Sequence, residues 1–529
     1  MLTGILYALL LIMGFILIFA FLDKKDILEK YSLELSGPLL MWKTERGKKL
    51  IDRIAKKKRF WEIYGNLGIV IIVICMISML GLVVWSAYLA SQIPAEQAPS
   101  PRLIIGIPGV NPLIPVWYGI LGLAAAIVVH EFSHGILARV GDIKVKTLGL
   151  IFLVVPLGAF VEPDEEEMEK MPRLKRDRIY SVGPTTNMIL ALVCFLLFTS
   201  VFMGAVTSRE DGVIVSGIAA DSPAHTAGLS WGEQITMIEG HRIESIDNFM
   251  SIDLEPGRYV NVTTVKERDE ETYLVYSGVV VTTTLSDYPA HEAGLEAGDV
   301  LISLNGREIR NMDNFQEIMD NTEAYQEVTI VYHRINGEDY QEFTVENVTL
   351  ADKYEGYADH YPNQKRDEYK GEGYLGVGTS YMGVGVWDSE MIPNIMSAPF
   401  EGSRSAGNFI NSGLFFISYP FQGLSPMPSE LTVLYEVSGP ISALPTSVFW
   451  ILTNSLYWIF WLNLMVGLFN ALPMVPLDGG FVFRDGLGGL FEKMGYRTKK
   501  SKKIVDQLVY VLALTIFALI VWQLVGPYF

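Results

Sequence analysis

The chain of 529 residues contains only two cysteines, seven histidines and 19% charged residues. Each scarcity excludes something. Cys75 and Cys194 both sit in apolar runs, so neither a disulfide framework nor a cysteine-rich metal motif can be built. Soluble chains carry about 25% charged residues, and here charge is missing in blocks. Residues 2–22, 63–95, 103–129, 179–208, 437–477 and 507–529 hold no Asp, Glu, Lys or Arg. Each run reaches the roughly 20 residues that cross hydrocarbon as a helix. A purely soluble enzyme is excluded, and a hydrophobic fraction of 50% excludes disorder over most of the chain. Basic residues are scarce in 207–402, with 12 against 36 acids. That balance argues against a nucleic-acid partner, which needs a basic patch.

What is present is about six membrane spans around an acidic soluble insert. The segment 23–60 carries 12 Lys and Arg, and 141–178 and 482–506 are also basic. The positive-inside rule places all three in the cytoplasm and the insert outside it. The first run lacks a small-residue cleavage motif and reads as a retained anchor. The expected fold is a polytopic α-helical membrane protein with an extracytoplasmic α+β insert, in a cell membrane.

The insert repeats itself. Residues 223–249 and 289–315 align at an offset of 66 with 12 of 27 positions identical, a duplicated module. Each copy has Pro-Ala, Ala-Gly-Leu, a Gly followed by an acid, a strand-like run and a turn at Gly240 or Gly306. This resembles the PDZ domain in its "SPAxxAGLxxGDxIxxING" segment, the first copy departing at Glu233 and Gln234. A PDZ fold binds an extended peptide or C-terminus by adding it to a sheet edge; the other reading is a pair of steric spacers or a size filter. His225 and His291 recur at equal positions and are read as surface residues, with no further ligand spaced near them.

The chemistry lies in the apolar runs. The third run ends in His130-Glu131-Phe132-Ser133-His134. On a helix, residues four apart share a face, so His130 and His134 can hold one Zn²⁺ with Glu131 beside its bound water. Ionisable groups behind such a run are costly and functional by default. Catalytic zinc keeps three protein ligands and an open position. The conspicuous third candidate is Asp478, in Asn470-Ala-Leu-Pro473-Met-Val-Pro476-Leu477-Asp478-Gly479-Gly480. The prolines break the helix and the glycines permit unusual backbone angles. Asp478 reads either as a ligand or as a helix cap facing water. The run from Leu148 to Val161, with Pro156 and Gly158 as turn signals, suits a short β-hairpin better than a span.

HEFSH followed by N-x-x-P-x-x-P-L-D-G-G resembles the site-2 protease family of intramembrane zinc metalloproteases, over about 130–529. The resemblance implies one zinc ion on His130, His134 and Asp478, Glu131 as catalytic acid/base, and cleavage in or near a substrate's transmembrane segment. Gly158-Ala159-Phe160-Val161 resembles the end of the family's re-entrant hairpin, with Ala159 in place of a glycine. Gly183-Pro184-Thr-Thr-Asn187 resembles its A-G-P-x-x-N, with Val182 in place of Ala, and Gly439-Pro440 a G-P-I pair. Gly158, Ala159, Phe160, Asn187 and Asn470 become substrate-binding candidates, with turn capping equally open for Asn470. The partners implied are a transmembrane protein substrate and the lipid bilayer.

The expected organisation is two N-terminal spans with a basic loop (1–95), a first catalytic part (103–208), two PDZ-like domains (209–280 and 281–350), a linker or membrane-surface gate (351–430) and a second catalytic part (431–529). A non-catalytic scaffold binding peptides through the insert is the alternative function, and predicts a damaged zinc motif. A metal transporter predicts ionisable groups strung along a route, whereas here they converge at one depth.

Overall fold

The computed structural model describes residues 2–93, 98, 100–103, 106, 108–153, 155–266, 269–337, 339–361, 364–401, 405–422, 426–496 and 498–528. Val154 of the expected hairpin segment, residues 402–404 and 423–425 of the expected gate, and Arg497 of the last basic segment lie outside them. The chain forms two compact units. One comprises Met1–Phe198, Ser405–Pro426 and Ile451–Phe529, the other Thr199–Arg404 and Met427–Trp450.

Among the described residues five helices are long and apolar enough to cross a membrane: Lys58–Ala90, Val116–Val140, Arg173–Ala205, Thr446–Asn470 and Lys499–Tyr528. The first run forms a 22-residue helix, Leu2–Asp23. Two boundaries differ from the charge-free runs. The run from 103 becomes helical only at Val116, after Pro115, and continues to Val140. Pro112 and Pro115 bias the residues before them away from helix, so His130 lies well inside the helix rather than at its end. The long run from 437 stops as a helix at Asn470, and a new helix, Asp478–Lys493, starts at the aspartate.

The first unit also holds a four-stranded antiparallel sheet, in the order Leu33–Ser36, Leu39–Thr44, Val145–Leu153, Val155–Pro163. The expected hairpin at 148–161 is thus longer, and it is not alone. A second hairpin from the basic N-terminal segment, turning at Gly37 (φ +60°), covers its far side with the register Leu40↔Phe152 to Thr44↔Leu148. This pairing is non-local and leaves no local signal beyond apolar residues in a basic loop. The strand Val155–Pro163 is left as a sheet edge.

Two ion pairs tie the helix carrying Asp478 to the start of the Arg173–Leu196 helix. Arg176 donates from Nε and Nη2 to both oxygens of Asp485, each at 2.6 Å, and Arg173 reaches both oxygens of Glu492 at 2.8 and 2.5 Å. Asp485 and Glu492 follow Asp478 at seven-residue steps, about two helical turns each, so all three lie near one face.

The second unit contains two six-stranded sheets of identical strand order. The first runs Asp269–Tyr276, Tyr259–Lys266, Gln234–Ile238, Val213–Ile218, Val384–Asp388, with His241–Arg242 on its third strand. The second runs Asp339–Thr349, Glu327–Asn336, Val300–Leu304, Val279–Thr284, Val377–Tyr381, with Arg307–Glu308 likewise placed. The repeat therefore extends beyond the aligned stretch. Its boundaries need correcting. Each sheet takes its last strand from 377–388, in the stretch expected as linker or gate, through a hairpin turning at Met382 and Gly383 (φ +53° and +82°). Leu375, Tyr381, Met382 and Val384 enter the buried core that both sheets share. Sequence alone pairs such a hairpin with itself; only the two open sheet edges split it.

Glu233, the departure from the glycine-aspartate pattern, is a buried paired acid like its counterpart Asp299. Asp299 is fully buried and accepts two hydrogen bonds from Arg334, each at 2.7 Å, which hold that guanidinium above the usual arginine range. Glu233 occupies the equivalent place and meets Lys266 at 3.0 Å, Thr264 at 3.0 Å and Tyr273 at 3.2 Å. His225 and His291 are exposed.

The Arg176–Asp485 pair is mostly buried, at 18% and 11% side-chain exposure. Removing one partner strands a buried charge. Arg176→Met is expected to destabilise the detergent-purified protein by about 3 kcal/mol, read as a fall in melting temperature. Adding Asp485→Leu should recover most of the loss.

Candidate metal centre

Two segments far apart in sequence meet at one point. His130 and His134 lie one turn apart on the Val116–Val140 helix, ring centroids 4.9 Å apart. Asp478 opens its own helix, and its Oδ2 lies 3.0 Å from His130 Nε2 and 3.3 Å from His134 Nε2. The three form a group whose ligand atoms all lie within 4.8 Å of one another. Asp478 Oδ2 is buried without a hydrogen-bond partner among the described residues. A buried carboxylate oxygen left unpaired is expensive; a cation among two imidazole nitrogens and a carboxylate removes the penalty. Two nitrogens, one oxygen and an open side match the donor set of a catalytic zinc site.

The packing that allows this rests on glycines. A Cβ on Gly183 would lie 2.5 Å from His134 Nε2 and 2.7 Å from His130 Nε2, so the Arg173–Leu196 helix presents bare backbone to the rings. Gly479 and Gly480 lie in a helix and have no left-handed backbone, contrary to the expectation of unusual angles. Their role is steric: a Cβ would meet Ala471 O at 2.2 Å or Met474 C at 2.6 Å. The loop 471–474 can fold against the helix start only without side chains there.

Glu131 faces the sheet edge. Its Oε2 accepts a hydrogen bond from Val161 N at 3.2 Å, on the strand that ends the sheet. A cavity of about 930 Å³ joins His130, Glu131 and Asp478 to Arg484, Tyr496 and Lys502. Of the residues expected to bind substrate, Asn470 and Phe160 line it. Asn470 also donates to Val466 O at 3.0 Å, within its own helix. Ala159 and Phe160 border a smaller groove of about 210 Å³ beside Glu131. Gly158 lines neither of these two cavities. Asn187 also lines neither: it is fully buried, with its amide Nδ2 3.3 Å from His130 Nδ1. Sequence reasoning missed Val161 and Ile179, whose carbonyl lies 2.7 Å from His134 Nδ1. The spacing of Ile179, Gly183 and Asn187, every four residues along a helix, was the available signal.

Because Gly183 touches both rings, Gly183→Ala is expected to lower bound zinc to less than half of one equivalent, measured by elemental analysis of folded, monodisperse protein.

Residues 118–516 match the family model Peptidase family M50. A protein of Methanocaldococcus jannaschii, described as uncharacterized, is 31% identical over 44% of this chain and 62% of its own length. A putative zinc metalloprotease of Clostridium perfringens is 26% identical over 30% of this chain and 53% of its own length. The chain thus spans about half to three fifths of these two relatives. Protease RseP of Yersinia pestis is 23% identical over 68% of this chain and 87% of its own length. With three quarters of its length inside the family model and the histidines and aspartate assembled as above, the chain belongs to peptidase family M50.

Proposed function

We propose that this protein is an intramembrane zinc endopeptidase that hydrolyses a peptide bond in or near a transmembrane segment of a membrane-anchored protein, as a step of regulated intramembrane proteolysis. The observation that carries the reading is the convergence of His130, His134 and Asp478 beside Glu131, facing both a cavity and an open strand edge. His130, His134 and Asp478 hold the metal. Zinc, when bound, polarises the scissile carbonyl and lowers the pKa of water towards neutrality. Glu131 takes the water proton and returns it to the leaving amine.

A helical substrate hides its carbonyls in its own hydrogen bonds and must unwind to be cut. Unpaired backbone in lipid costs several kcal/mol per group. The Val155–Pro163 edge offsets this by pairing with the unwound strand, with Gly158, Ala159 and Phe160 under the substrate. Val161 N, bonded to Glu131 Oε2, marks where that edge meets the acid/base. Asn470 lines the cavity and contacts the substrate backbone. The basic loops are cytoplasmic, which opens the cavity to cytoplasmic water and puts the insert outside.

The insert carries two PDZ-like modules, a reading supported by the repeated strand order. They act as a size filter that admits substrates already shortened outside the membrane. A scaffold role without catalysis is disfavoured by the intact ligand set.

The first test is zinc content together with cleavage of a single-span substrate. Glu131→Gln should keep zinc and lose at least about 10²-fold in rate. Asp478→Asn should lose both. Stoichiometric zinc with unimpaired cleavage by Glu131→Gln would refute the assignment of the acid/base.

The filter has its own test. Gly212 O accepts from Ser389 N at 3.1 Å, so the ends of the insert lie side by side and 213–388 can be excised and bridged by a short Gly-Ser link. The excised protein is expected to cut a substrate with an intact long ectodomain faster than the parent does. An unchanged rate would sink the filter.

A further inference from the structure

A metal-bound histidine has to offer one nitrogen unprotonated, and the other nitrogen's hydrogen bond decides which one that is. Both rings here point Nε2 at Asp478. For His134 the choice is made by main chain: Nδ1 lies 2.7 Å from the carbonyl of Ile179. A carbonyl only accepts, so Nδ1 carries the proton and Nε2 is free. For His130 the group at Nδ1 is the side chain of Asn187, two turns further along the same helix, at 3.3 Å. An amide can donate or accept there, depending on which end faces the ring. Asn187 is fully buried, and its Oδ1 has no hydrogen-bond partner among the described residues. Half a turn of the amide exchanges the two ends. It places Oδ1 on the ring, gives that oxygen a donor and fixes the proton on Nδ1, while Nδ2 moves to the side where Oδ1 stood.

We infer that Asn187 is the positioning residue of His130: its side-chain oxygen accepts from Nδ1–H and so sets the tautomer whose Nε2 binds the metal. Ile179, Gly183 and Asn187 then form one functional face of the Arg173–Leu196 helix, two acceptors flanking the bare glycine on which both rings rest. The inference replaces the substrate-binding role expected for Asn187, whose side chain faces the ring and lines neither cavity. It rests on the proposed zinc ligands.

The test is the zinc dissociation constant, measured on detergent-purified protein by competition with a chromophoric chelator, for the wild type, His130→Ala, Asn187→Leu and Asn187→Asp. Leu keeps the volume and removes the acceptor; it should weaken zinc binding about 10- to 100-fold. An ionised Asp can only accept, so this variant should bind zinc as tightly as the wild type or more tightly. Even if the Leu variant fails to fold, the Asp variant decides the matter, since a contact in which Asn187 donates would be destroyed by Asp. Weakening by Asp of tenfold or more, or wild-type affinity in a folded Leu variant, would overturn the inference while leaving the ligands in place. A wild type that binds no zinc, or a His130→Ala variant that binds it normally, would instead overturn the ligand assignment.

Discussion

Three ligand atoms can share one small volume only if three helices approach more closely than side chains ordinarily allow. The Val116–Val140 helix brings two imidazoles, the Asp478–Lys493 helix brings the carboxylate, and the Arg173–Leu196 helix forms the wall behind them. Helices in contact usually lie 8–10 Å apart, set by the side chains between them. Here the side chains are removed where they would intrude: Gly183 lies under the rings, and Gly479 and Gly480 lie under the loop that precedes them. The same geometry explains the chemistry of the donor set. A buried carboxylate oxygen 3.0 and 3.3 Å from two imidazole nitrogens is a donor set that a cation completes.

The remaining contacts of the helical unit hold this arrangement. Paired charges at Asp485 and Glu492 fix the aspartate helix to the start of its neighbour, so the direction in which Asp478 points is set from its far end. A sheet assembled from two hairpins, one drawn from the N-terminal basic segment, leaves a single strand edge beside Glu131. That segment is more than an anchor with a charged loop. By covering the inner hairpin on one side, it leaves Val155–Pro163 as the edge nearest the acidic side chain.

The insert shows a different economy. Two copies of one module share a core and divide one terminal hairpin, so neither sheet has its full complement of strands without 377–388. The buried acids at equivalent positions, Glu233 and Asp299, are met by Lys266 and Arg334. The longer acid pairs with the lysine and the shorter acid with the arginine.

Much is legible in the amino-acid sequence. Charge-free runs marked the apolar helices because hydrocarbon excludes ionised groups over a fixed thickness. The HEFSH spacing pointed to two candidate ligands because a helix returns to the same face every four residues. The duplication was visible because turn residues recur at fixed places. What the sequence left open were matters of distance between segments that it keeps apart. Whether Asp478 reaches the histidines, which strand becomes the open edge, where the 377–388 hairpin goes and which ring Asn187 touches all depend on packing among distant elements. Pattern and propensity act over a few residues. Tertiary contacts join residues on either side of the insert, and only there do a helix cap and a metal ligand become different things.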